Sequence, residues 1–274
     1  MKYLYKFRYS IYMSFAVLMT FMSGQTIATK QQFRFGIVPQ SSGSKLARTW
    51  VPILTYLEEK TGYDLEFATA RNIPTFEQRL HDGQYDIAYM NPYHYTQVNA
   101  TAGYQAFAKA KGKRLKGILV VHKDSPYREL KDLDNKELAF PSNAFAASQI
   151  PRAYFNSIGI NISWKFVSSH DSVYRNVAKG RYPAGGGVMR TFKNSSPELR
   201  KDLRILWTSD GYTPHAFAHH PRIPREVIER LQDVMLAMDQ DPVGRELLKT
   251  IRLKGVETGL DGEWNDVRSL QITN

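Results

Sequence analysis

Phe67–Met90 reads FATARNIPTFEQRLHDGQYDIAYM, and Phe166–Met189 reads FVSSHDSVYRNVAKGRYPAGGGVM. Each stretch has a strand end, a polar loop, a helix of about ten residues and then Gly-x-Tyr. A short strand of small or apolar residues closes each one, Asp86–Met90 in the first and Ala184–Met189 in the second. Ile73 stands ten residues before Gly83, and His170 ten before Gly180. Two copies far apart make two similar lobes and no solenoid. Gly185–Gly187 then fall in a buried strand and at its C-terminal exit, where ligands approach an open α/β sheet. They are read as close-packing residues beneath a helix. A nucleotide P-loop would need Lys-Ser or Lys-Thr after the glycines, and a dinucleotide fingerprint would need spaced glycines; neither is present.

Outward from these copies the same strand–helix order continues. Phe33–Val38 is a short apolar strand ending at Pro39. From Leu46 the apolar residues recur at near-helical spacing until Thr61-Gly62, and Tyr63–Ala68 is the next strand. Leu115–His122 and Leu203–Thr208 are apolar strands that enclose a complete α/β unit. A lobe inserted within another lobe by two strands implies an α/β clam with its ligand in the cleft. The expected division is 1–28 leader, 29–118 with 212–274 as lobe 1, and 119–211 as lobe 2.

The first 28 residues have their own character. Lys2, Lys6 and Arg8 precede an apolar run from Ile11 to Met22, and Thr26-Ile27-Ala28 offers small side chains at −3 and −1. This is the pattern of a secretory signal peptide cleaved after Ala28; a membrane span needs roughly 20 apolar residues. The exported protein is expected to be soluble and periplasmic. With no cysteine, neither a lipid-anchored N-terminal thiol nor a disulfide is available, and the core alone must hold the fold.

The net charge is +11, and Lys2, Lys6 and Arg8 supply three of the 37 basic residues. The surplus of about eight left after cleavage suits a small anion, and export argues against nucleic acid. Catalytic motifs are missing: there is no G-x-S-x-G, no thiol nucleophile and no His-Glu-x-x-His. His219-His220 lacks a spaced third ligand and is read as a solvated turn, so no metal or other cofactor is expected.

FGIVP at Phe35, GQYDIAYMNPYHY at Gly83, VVHKDSP at Val120, the Ser169-His170-Asp171 turn and SDGYTP at Ser209 occur in this order. In them the chain resembles the phosphate, phosphite and phosphonate group of periplasmic solute-binding proteins, across almost all of the exported sequence. The resemblance implies a type II periplasmic binding protein fold, with two α/β lobes joined by two hinge strands. It implies capture of a small oxyanion for an ABC importer. An alternative is a periplasmic partner of a membrane histidine kinase or cyclase, motivated by erosion of the oxyanion loop.

That loop is Phe140–Ser148. Where phosphonate binders place consecutive hydroxyls this chain has Ala144, Phe145 and Ala146. Ser142 or Asn143 remains to cap the helix and leave backbone N–H donors for an anion. His170 matches the family's cleft histidine. Ile73 replaces a frequent tyrosine, and Leu115 falls near a frequent hinge aromatic. Arg190 and His215 stand where aminophosphonate binders carry acids. The candidate ligand set is therefore Asn91, Tyr93, Tyr95, Ser142, Asn143, Phe145, His170, Arg190, Thr213 and His215. Its expected ligand is anionic and lacks an amine.

Overall fold

The computed structural model describes residues 31–142, 144–270 and 272; the expected signal peptide, 1–28, lies outside the described residues. Eleven strands form two sheets among the described residues. The first contains β1 (Gln32–Ile37), β2 (Asp64–Ala68), β3 (Ile87–Met90), β4 (Gln105–Ala110), β10 (Ala216–His219) and β11 (Val256–Thr258). The second contains β5 (Ile118–His122), β6 (Lys136–Phe140), β7 (Ile162–Phe166), β8 (Ala184–Gly187) and β9 (Leu203–Thr208). The larger helices are α1 (Gly43–Thr61), α2 (Ile73–His81), α3 (Pro92–Thr101), α4 (Ile150–Ser157) and α5 (His170–Ala178). The short α6 (Met189–Lys193) and α7 (Pro197–Arg200) follow, and α8 (Arg225–Ala237) and α9 (Pro242–Thr250) complete the larger elements.

The strand orders reveal the plan. The first sheet runs β11-β4-β10-β3-β1-β2 and the second β7-β6-β8-β5-β9. β1 is parallel to β2 and β3, and β6 is parallel to β7 and β8. The first sheet also takes in two antiparallel strands, β10 between β3 and β4 and β11 at the edge beside β4, and the second takes in one, β5 between β8 and β9. β5 follows the chain's first passage between sheets, and β10 follows its return. The passages are paired: Leu115 and Tyr212 exchange backbone bonds of 2.8 and 2.9 Å. Ser209 N–H also donates to the Gly117 carbonyl at 2.9 Å. The expected hinge pair therefore forms, with its crossing at 115–117 and 209–212.

The two quoted stretches are β2–α2–β3 and β7–α5–β8. Asn72 Oδ1 accepts from Thr75 N–H at 2.9 Å and caps α2; Ser169 Oγ accepts from Ser172 N–H at 3.1 Å and caps α5. Gly83 (φ 64°) and Gly180 (φ 67°) take the left-handed conformation that ends each helix. Strand β8 stops at Gly187, short of the expected Met189, because Met189 opens α6.

The glycines of β8 serve packing. Gly185, Gly186 and Gly187 are buried. A Cβ on Gly185 would overlap Val173, one on Gly186 would overlap the Ala147 carbonyl and the Phe140 ring, and one on Gly187 would overlap the Tyr174 hydroxyl. Helix α5 thus lies directly on the strand backbone, with Val173, Tyr174 and Val177 fully buried. In the first lobe, α1, α8 and α9 bury Trp50, Leu54, Leu231 and Leu248 around β1. Phe76, Leu80, Tyr85 and Tyr95 fill the other face of that sheet, and Phe145 and Ile150 from the second lobe join their cluster.

Candidate functional site

Parallel strands deliver their C-terminal ends to one rim of each sheet. In the first lobe this rim holds Gln40 beyond β1 and Asn91 beyond β3. His215 joins them because β10 runs antiparallel, pairing Ala216 with Met90. Gln40 Nε2 lies 2.7 Å from His215 Nε2. An amide nitrogen only donates, so the imidazole Nε2 accepts and its proton sits on Nδ1. The ring stacks on Tyr89, with centroids 5.1 Å apart and planes at 21°. It keeps some accessible surface, yet the atoms around it strip it of water. Burial first, then the charges of Lys113 and His94, push its pKa down to about 3. His215 is neutral at physiological pH, so it brings no positive charge to the rim.

Asn91 caps α3: its Oδ1 accepts from His94 N–H at 2.8 Å, and its Nδ2 lies 2.8 Å from His94 Nε2. Tyr93 is half-buried against the same cluster. Tyr95 turns the other way. It is fully buried, its hydroxyl donates to Asp261 Oδ1 at 2.7 Å and accepts from Ala106 N–H at 3.2 Å, and its ring packs on Trp264. Thr213 is also interior. Its hydroxyl donates to the Glu263 carbonyl at 2.7 Å and accepts from Arg114 at 3.0 Å, tying the return passage to the C-terminal region.

In the second lobe Ser142 follows β6, exposed and at φ 89°, a strained value for a residue with a Cβ. Asn143 lies outside the described residues. The turn that follows is widened: Gln149 N–H bonds the Ala144 carbonyl, and Ile150 N–H that of Phe145. Such turns concentrate at functional sites. Phe145 is buried, edge-on to Tyr212 at 6.3 Å, and serves as contact between the lobes. His170 is the first residue of α5, half-buried, with Nδ1 3.1 Å from Thr191 Oγ1. Burial holds its pKa below the usual imidazole value. Arg190, beyond β8, is exposed and has no ion pair among the described residues.

A family model described as the periplasmic substrate-binding protein of phosphonate ABC transporters matches residues 35–264. The chain belongs to this phosphonate-binding family. The phosphonates-binding periplasmic protein of Escherichia coli is 22% identical over 259 residues, spanning 89% of this chain and 77% of that protein. The phosphate-import protein PhnD of Mycolicibacterium smegmatis is 25% identical over 226 residues, spanning 74% and 70%. The solved PhnD1 of Prochlorococcus marinus, in complex with methylphosphonate, superposes with a TM-score of 0.72 at 16% identity, covering 88% of this chain and 97% of that one. The two-lobed type II fold is therefore established, in a family of solute-binding components of ABC transporters. The relatives lend no support to the sensory alternative. No helix among the described residues is long and apolar enough to cross a membrane.

Within this phosphonate-binding fold, strand ends gather Asn91 and His215 on one rim and Ser142, His170 and Arg190 on the other. They do not gather Tyr95, Thr213 or Phe145, whose side chains are packed inside. Gln40 and Thr191 escaped sequence reasoning, although Gln40 directly follows FGIVP and Thr191 adjoins Arg190. Among the described residues no three His, Cys, Asp or Glu side chains could hold a metal ion. His219-His220 is no solvated turn: His219 ends β10, half-buried against Phe107, and His220 lies edge-on to Tyr104.

Proposed function

We propose that this chain captures a small, amine-free oxyanion of the phosphate, phosphite or phosphonate class in the periplasm and presents it to an ABC permease. The character of the rim carries the reading. Gln40, Asn91, Ser142, His170 and His215 are neutral, and Arg190 is an exposed guanidinium with no ion pair among the described residues. No carboxylate occupies the Arg190 or His215 position to hold an amine, while an anion gains a charge-assisted partner. The lobes divide near residues 118 and 212 and close on the ligand about the paired crossing at 115–117 and 209–212. The signal peptide is removed after Ala28, which N-terminal sequencing of the exported protein checks.

Calorimetry and thermal shift with inorganic phosphate, methylphosphonate and 2-aminoethylphosphonate test the ligand. A ligand at about 100 times its Kd adds ~2.7 kcal/mol of stability. Arg190→Ala is expected to weaken the best anion about 10- to 100-fold. Preference for 2-aminoethylphosphonate, or no response to any oxyanion at millimolar concentration, overturns the assignment.

A further inference from the structure

The hydroxyl of Thr191 touches three groups and has one proton to give. It lies 3.0 Å from the Val188 carbonyl, 2.7 Å from Tyr174 Oη and 3.1 Å from His170 Nδ1. Either of two His170 tautomers satisfies this cluster, in which Tyr174 Oη also lies 3.4 Å from the Val188 carbonyl. In the first, Thr191 donates to Val188 and accepts from both Tyr174 and His170 Nδ1–H. The outer imidazole nitrogen, Nε2, then carries a lone pair, which repels an oxyanion. In the second, Thr191 donates to His170 Nδ1 while Tyr174 donates to Thr191. The Val188 carbonyl keeps its bond from Phe192 N–H at 3.1 Å, so no buried group is orphaned. Nε2 then bears the hydrogen. No hydrogen bond to Nε2 comes from the described residues.

We propose that Thr191 is the positioning residue for His170: its hydroxyl donates to Nδ1 and so presents Nε2–H, on a neutral ring, to an oxyanion oxygen. The inference rests on the reading of His170 as a ligand donor. Its geometry reaches back to the glycine block. Tyr174 Oη backs the Thr191 hydroxyl, and it fits there only because Gly187 has no Cβ. Two hydroxyls in series therefore set which imidazole nitrogen holds the proton. A neutral donor requires no imidazolium, in keeping with the desolvated site.

The test uses the exported chain with 15N-labelled histidine at about pH 8, where imidazole is neutral. His170 signals are assigned by their loss in His170→Gln. The expected spectrum has the Nε2–H tautomer with a hydrogen-bonded Nδ1. Thr191→Val removes the bonded Nδ1 signature and weakens inorganic phosphate roughly tenfold. Thr191→Ser restores both. A His170 protonated at Nδ1 overturns the inference without reference to affinity. So does a Thr191→Ser variant as impaired as Thr191→Val, because the hydroxyl would then be irrelevant. Unchanged phosphate affinity in His170→Gln overturns instead the ligand role on which the inference rests.

Discussion

In the first lobe Asn72 caps α2, Gly83 ends it, and strand β3 carries Ile87, Ala88, Tyr89 and Met90. In the second lobe Ser169 caps α5, Gly180 ends it, and β8 carries one alanine and three glycines. Local structure is the same because helix caps and left-handed stops depend on single residues at fixed offsets. Packing differs because volume is assigned differently. Tyr89 fills space beneath His215 and beside Trp50, with ring centroids 5.1 and 4.9 Å away. Its counterpart Gly186 leaves that space to Phe140 and the Ala147 carbonyl. The next glycine, Gly187, lets Tyr174 lie inward and brings its hydroxyl to the residue that holds His170. One supersecondary unit thus supports an aromatic rim in one lobe and a hydroxyl pair in the other.

The largest effect is expected where that difference is reversed. Gly186→Val places a side chain into the Ala147 carbonyl and the Phe140 ring. Backbone cannot yield as a flexible side chain does, so a loss of ~3 kcal/mol or more is expected. Urea unfolding measures it. A loss below ~1 kcal/mol would mean that Phe140 and the Ala147 carbonyl do not pack directly on the strand backbone.

Phe145→Ala comes next. Its ring is buried in the first lobe's cluster although its chain belongs to the second. Removing it leaves a cavity at the contact between lobes and is expected to cost ~3 kcal/mol. Small-angle scattering should report a more open ligand-free protein. An unchanged profile together with unchanged stability would show that Phe145 does not join the lobes.

The two rims also differ in how far burial has suppressed their histidines. An unfolded imidazole binds a proton below about pH 6.5, whereas folded His215 does so only near pH 3. Between these values the unfolded state holds more protons, so stability rises with pH. The contribution is complete above about pH 6.5 and is lost as pH falls toward 3. His215→Gln should flatten the decline in urea midpoint from about pH 7 to about pH 4. An identical slope in the variant would mean that His215 protonates normally in the fold.

The legible parts of the molecule were those written in adjacent residues. Asn72 with Thr75, Ser169 with Ser172 and the glycines at 83 and 180 act within one helix turn, so the repeated unit was visible as a pattern. The two-lobed α/β plan followed from that unit and the two crossing strands, and the type II fold from the family resemblance carried by the motif order. The direction of a side chain within the site was not local. Tyr95 is turned inward by Asp261, 166 positions away, and His215 meets Gln40 across 175. Thr213 is held by Glu263, 50 positions on. Such partners are chosen by tertiary packing, so the sequence placed these residues at strand ends without revealing which way they point. Thr191 was hidden for a related reason, since its role exists only when α6 folds back beside α5.

The smallest expected effect separates structural from functional likeness in the two copies. Asn72→Ala and Ser169→Ala each remove one cap bond, at 2.9 and 3.1 Å. Each should cost ~1 kcal/mol, a fall of about 2–4 °C in thermal midpoint for a protein of this size. Their effects on ligand should not match. The residue after Asn72 is Ile73, which has no polar group to offer. The residue after Ser169 is His170, whose ring direction depends on how α5 begins and on the bond to Thr191. Loosening the first turn of α5 therefore broadens the positions of Nε2, while loosening that of α2 disturbs only packing. Phosphate affinity should fall a few-fold in Ser169→Ala and stay level in Asn72→Ala. Equal stability losses with equal affinities would leave the copies alike in function as well as form, and would remove α5 from the ligand rim.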